Sequence, residues 1–136
     1  MTTSPILALR QAIRAGMSSD ATLMGALGGR TIFDEAPRQT PTPYVIFAET
    51  QLRDWSGDLA PGAEQFFTLS VISTEHGVAQ ALSLAQQILD RLVASPPEMA
   101  GHRLIDLSCQ AMETKRDPSG RFAKVNLRFR ATSEYL

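Results

Sequence analysis

Few residues in this chain have the type and spacing that chemistry requires. Cys109 is the only cysteine, and His76 and His102 are the only histidines. A nucleophilic thiol needs a base or a cation beside it, and the sequence places no histidine to serve Cys109. The thiol falls on the apolar side of an alternating segment, so it reads as a buried, unreactive side chain. Neither histidine sits in an HExxH pattern or a Cys/His metal spacing, so both read as ordinary surface or turn residues. Asp34 and Glu35 are adjacent, but on an extended chain neighbours point apart, and no DxDxDG loop accompanies them. Solvation, or a salt bridge from Arg30 or Arg38, is the expected state of these carboxylates. Gly28-Gly29-Arg30 lacks the further glycines or lysine of a phosphate loop and reads as a helix stop. No catalytic, cofactor-binding or metal-binding residue is assigned, and no cofactor is expected.

Binding is better represented than catalysis. Lys124, Arg128 and Arg130 share one face of a terminal strand, as solvated cations or as a contact for a subunit, partner or nucleic acid. Trp55 and Leu59 lie in a loop among turn residues. A tryptophan there either folds back on its own core or projects as an interface anchor. Residues 31–43 carry Pro37, Pro41 and Pro43 and form an extended arm, laid over their own domain or over a neighbour. Asp34, Pro37, Trp55, Leu59, Arg128 and Arg130 are therefore the candidate interface residues.

The 136 residues fit one domain and can bury a core without staples. A 43% hydrophobic and 20% charged composition is that of a soluble globule. The formal net charge of −1 disfavours a general nucleic-acid binder. A single cysteine allows no intramolecular disulfide. Arg10 and Arg14 interrupt the apolar N-terminal residues, unlike a secretory signal. No apolar run reaches the ~20 residues of a membrane span. Synthesis in the cytoplasm, without membrane association, is the expectation.

The elements that must position these residues follow from periodicity. Ser4-Pro5 is a cap with proline at the first helical position, and Ile6, Leu9, Ile13 and Met17 continue at helical spacing, predicting a helix over about 4–17. Ser19 and Asp20 can cap a second over about 20–27, stopped by Gly28-Gly29. Ile32-Phe33 can add a short edge strand. Strands follow over about 44–53 and 64–73, separated by a loop of about ten residues with Gly57, Pro61 and Gly62. Val78, Ala81, Leu82, Ala85, Ile88, Leu89, Leu92 and Val93 define an amphipathic helix over about 77–94, ended by Ser95-Pro96-Pro97. A third strand covers about 102–115, with Ile105, Leu107, Cys109 and Ala111 on one face. Asp117, Pro118, Ser119 and Gly120 form a type I turn with a glycine bulge. The last strand, about 121–133, puts Ala123, Val125, Leu127, Phe129 and Ala131 on one face and Lys124, Asn126, Arg128 and Arg130 on the other. The predicted fold is α+β and two-layered: an antiparallel sheet of two β-hairpins, a long amphipathic helix on one face, and N-terminal helices. It occupies 1–136 as a single domain.

Several short motifs, in order, resemble the phage tail-completion (tail terminator) proteins, which also occur in gene transfer agents. They are Gly29-Arg30-Thr31-Ile32-Phe33-Asp34 with Pro37 and Pro43-Tyr44-Val45, then Asp54-Trp55-Ser56, then Ala100-Gly101-His102-Arg103-Leu104. Arg116-Asp117-Pro118-Ser119-Gly120 and Leu127-Arg128-Phe129-Arg130-Ala131 complete the likeness. Phe33 stands where the family often has tyrosine. The resemblance spans nearly the whole chain. It implies a tail terminator that forms a hexameric ring on the head-side end of the tail tube. Such a ring stops tube polymerisation and docks the head-side connector or stopper protein, while DNA passes through its lumen without sequence recognition. A lumen that lets DNA slide cannot hold its phosphates tightly, so Arg128 and Arg130 are expected to pair with carboxylates. Two other readings stay open on the residues alone: a monomeric adaptor or regulatory protein, and a small enzyme using Cys109.

Overall fold

The computed structural model describes residues 3–74, 78–118 and 120–136. His76 and Ser119, read above as turn residues, lie outside the described residues. The elements are α1 (Pro5–Ser18), α2 (Ala21–Ala26), β1 (Tyr44–Asp54), β2 (Gly62–Ser73), α3 (Ala79–Ala94), β3 (His102–Arg116) and β4 (Ala123–Tyr135). Four antiparallel strands form one sheet in the order β1-β2-β4-β3. With its helices this makes an α+β fold.

Local chemistry accounts for the ends of the elements. The Ser4 hydroxyl accepts from the Leu7 amide at the start of α1, where Pro5 has no amide to satisfy. The Asp20 carboxylate accepts from the Leu23 amide and caps α2. Gly28 and Gly29 then take φ of 66° and 82°, and the Gly29 amide returns to the Met24 carbonyl at 2.7 Å. This left-handed exit is open to glycine and costly for other residues. Between β3 and β4 the Gly120 amide donates to the Asp117 carbonyl at 2.8 Å, and Gly120 has φ of 74°.

The core lies between the helices and one face of the sheet. Leu9, Ile13 and Met17 of α1, Leu23 of α2, and Ala81, Ala85 and Ile88 of α3 are buried against Val45, Leu69, Val71, Val125, Leu127 and Phe129. α3 packs on β2, β4 and β3, and α1 packs on β1, α2 and α3. Phe67 and Phe129 stack across the central strand pair at 5.2 Å between centroids, a geometry worth about 1 kcal/mol beyond area burial. Gln65 is a polar exception in this core. Its amide donates to the Pro5 carbonyl at 3.0 Å and ties β2 to the start of α1.

Four details differ from the sequence reading. Val93 is exposed while Leu84, outside the predicted stripe, is buried. Ile105 and Ala111 leave the core face because β3 shifts register between Leu104 and Asp106 and again between Cys109 and Ala111. One extra residue moves everything beyond it to the opposite face. Leu104 and Leu107 thus pack on the core, Ile105 is exposed, and Ala111 faces Arg128 on the outer side. β1 and β2 continue pairing as far as Asp54 and Ala63, so the loop is only 55–61. Finally, Ile32-Phe33 contributes a single parallel bridge, Phe33 to Ile46.

Candidate assembly interface

The outer sheet face is built in rows that run across the strands. At the end nearest the β3–β4 turn the row is Tyr44, Ile72, Lys124 and Lys115. The next is Ile46, Ser70, Asn126 and Glu113, in which the Ser70 hydroxyl donates to the Asn126 side-chain oxygen at 2.7 Å. Arg128 and Arg130 follow on β4. Arg128 meets Glu113 at 2.6 Å and Arg130 meets Glu64 at 2.6 Å. The second pair is the less exposed, with side-chain exposures of 29% and 17% against 51% and 39%. The guanidinium of Arg53 lies over the Phe66 ring, 5.5 Å from its centroid.

The 55–61 loop is at the opposite end of the sheet and explains Asp54-Trp55-Ser56 locally. The Ser56 hydroxyl donates to Asp54 at 2.6 Å and accepts from the Gly62 amide at 3.2 Å. Trp55 donates its amide to the Gly62 carbonyl at 3.0 Å. Its ring lies against Gly62, where a Cβ would come within 3.0 Å of the indole. Trp55 therefore folds back partly on its own strand, leaving 37% of its surface exposed, whereas Leu59 at the tip is fully exposed.

The arm begins as a strap over its own chain. Ile32 is buried, and Phe33 exchanges backbone hydrogen bonds with Val45 and Phe47. Asp34 pairs with Arg10 at 3.0 Å and Arg14 at 3.3 Å. These partners from α1 replace the Arg30 or Arg38 expected from sequence proximity. Both arginines also sit over Phe47, at 5.0 and 5.7 Å from its centroid. Arg30 instead donates to the Pro43 carbonyl at 3.1 Å. Pro37 is exposed in a tight turn closed by the Thr40 hydroxyl and amide on its carbonyl. The candidate residues thus fall into three places: Asp34 and Pro37 on the arm, Trp55 and Leu59 on the loop, and Arg128 with Arg130 mid-sheet.

The groups first weighed for catalysis are structural in their surroundings. His102 is buried, which corrects its reading as a surface or turn residue. Its Nε2 lies 2.8 Å from the Thr3 carbonyl, and its ring is 5.0 Å from that of Tyr135. Cys109 packs against the core, and burial pushes its thiol up from the ordinary value. That direction keeps the thiol protonated at neutral pH, the reverse of an activated nucleophile. Among the described residues no group of three His, Cys, Asp or Glu side chains could hold a metal ion, and no helix is long and apolar enough to cross a membrane.

Comparison with solved structures finds a chain of a structure titled "Virion of native gene transfer agent (GTA) particle". It is 28% identical with a TM-score of 0.85, over 98% of this chain and 99% of that one. A second match, "Structure of bacteriophage SPP1 gp17 protein", is 19% identical with a TM-score of 0.55, over 93% and 88% of the two chains, and shows likeness of fold. No curated protein is similar enough in sequence to count as a match. The sequence profile of the family described as Tail completion protein gp17 matches residues 11–134. That match takes in α2, α3, the whole sheet up to Glu134 and most of α1, and the chain belongs to the tail completion protein gp17 family.

Proposed function

We propose that this protein is the tail terminator of a phage-like particle of the gene transfer agent kind. The observation that carries the reading is the likeness to a chain of a gene transfer agent virion over nearly the full length of both chains. The protein has a structural role and no enzymatic one. It is made in the cytoplasm as a single domain over 1–136. Six copies close into a ring on the head-side end of the tail tube, stop its growth, dock the head connector and let DNA pass. Ring neighbours meet head-to-tail through unlike surfaces, and the exposed arm around Pro37 is one such surface. Asp34 supports it by holding the arm to α1. The loop with Trp55 and Leu59 reaches along the ring axis to the tube protein or the connector. Leu59 supports this placement, since none of the described residues covers it.

Negative-stain imaging of tail tubes assembled with the purified protein tests the reading. Wild type is expected to leave a six-fold ring on one tube end and to arrest elongation. Leu59→Asp and Trp55→Ala are expected to leave tubes uncapped, with unchanged circular dichroism. Normal capping by both folded variants would remove the loop from the mechanism. Protein that stays monomeric in native mass spectrometry and never marks a tube end would favour a monomeric adaptor.

A further inference from the structure

The outer face treats its cations unequally. Arg128 and Arg130 are each held by a glutamate. Lys115 and Lys124, by contrast, are directly opposed on β3 and β4. Like charges so placed destabilise a strand pair. Among the described residues neither they nor the neighbouring Arg116 makes an ion pair. These three cations rim a groove of about 360 Å³ whose apolar part is Tyr44, Ile72, Pro118 and Phe122. Among the described residues, Asp117 is its one acidic lining residue. Phe122 is 41% exposed.

We infer that this groove docks a segment of a partner protein carrying an aromatic or aliphatic side chain between carboxylates. The apolar side chain enters between Tyr44, Ile72 and Phe122, and its acidic neighbours meet Lys115, Arg116 and Lys124. A surface for nucleic-acid phosphates has need of the cations but not of the apolar floor, so the combination selects a peptide. Cations on the rim steer an acidic segment in and fix its register, while burial of its apolar side chain supplies the contact area. The inference depends only on the groove and holds independently of tube capping.

An NMR titration of the full chain tests it, with a hexapeptide alternating glutamate and phenylalanine as probe. Amide shifts are expected to map to Tyr44, Ile72, Lys115, Phe122 and Lys124. Affinity is expected to fall about tenfold in each of three cases: Lys115→Glu with Lys124→Glu, Phe122→Ala, and a probe with glutamine for glutamate. A dispersed spectrum establishes that each variant is folded. Shifts scattered elsewhere, or equal binding of the glutamine probe, would overturn the inference. So would displacement of the probe by a short DNA duplex with no effect of Phe122→Ala, which would make the site a phosphate surface. Concentration-dependent self-association that perturbs these residues together with Trp55 and Leu59 would likewise overturn it, assigning the groove to the loop of a second copy.

Discussion

Glu64–Arg130 and Glu113–Arg128 close at the same 2.6 Å but in different surroundings. The first pair is largely covered, so removing one partner leaves a poorly solvated charge. The second is half in water, where screening and side-chain entropy absorb most of the gain. A double-mutant cycle by urea denaturation is expected to give a coupling of about 1–3 kcal/mol for Glu64–Arg130. The same cycle on Glu113–Arg128 is expected to give below about 1 kcal/mol. Equal couplings would show that burial does not separate the two. At this scale the sequence was legible in part. The alternation of β4 placed Arg128 and Arg130 on one face, but their partners lie on other strands and were invisible. Asp34 is the same case: its partners come from α1, far back in the chain. His102 was misread because its burial depends on Thr3 and Tyr135, brought together only by folding.

Gly62 shows how an element can demand one residue type. A Cβ there would meet the Trp55 carbonyl at 2.6 Å and the Ser133 carbonyl at 2.9 Å, both backbone atoms. Gly62→Ala is expected to cost about 1–3 kcal/mol and to loosen the loop that carries Trp55. Gly57→Ala, with open space at its Cβ, is expected to stay within about 0.5 kcal/mol. Thermal melts of both variants check the contrast; equal losses would mean the strain at Gly62 relaxes. The loop itself looked longer in the sequence, because glycine and proline there read as breakers. Cross-strand pairing carried both strands further. The bulges of β3 left no comparable signal. A one-residue shift changes no composition, yet it moved Ile105 and Ala111 off the face that strict alternation assigned to them.

For the whole molecule, the net charge of −1 hides an uneven distribution. Asp54, Asp58 and Glu134 surround the loop end of the sheet, while Lys115, Arg116 and Lys124 rim the turn end. Between them the two mid-sheet arginines are neutralised by glutamates. In the ring proposed above, such subunits would offer DNA little free positive charge at mid-sheet. Fluorescence anisotropy with a DNA duplex is therefore expected to show weak binding with a shallow salt dependence. Tight binding that collapses steeply with salt would contradict the proposed passage of DNA through the ring.

The sequence by itself determined the α+β class, because hydrophobic periodicity, proline and glycine positions and capping residues are local properties of the chain. It also carried the family likeness, since those short motifs keep their order and spacing. Tertiary structure alone decided strand order, the two register shifts in β3, the partners of Asp34, Arg128 and Arg130, and the burial of His102. Each of these depends on which distant segments share a surface. The groove is the clearest case, for Tyr44, Ile72, Lys124 and Lys115 become one row only when antiparallel register lays four strands side by side.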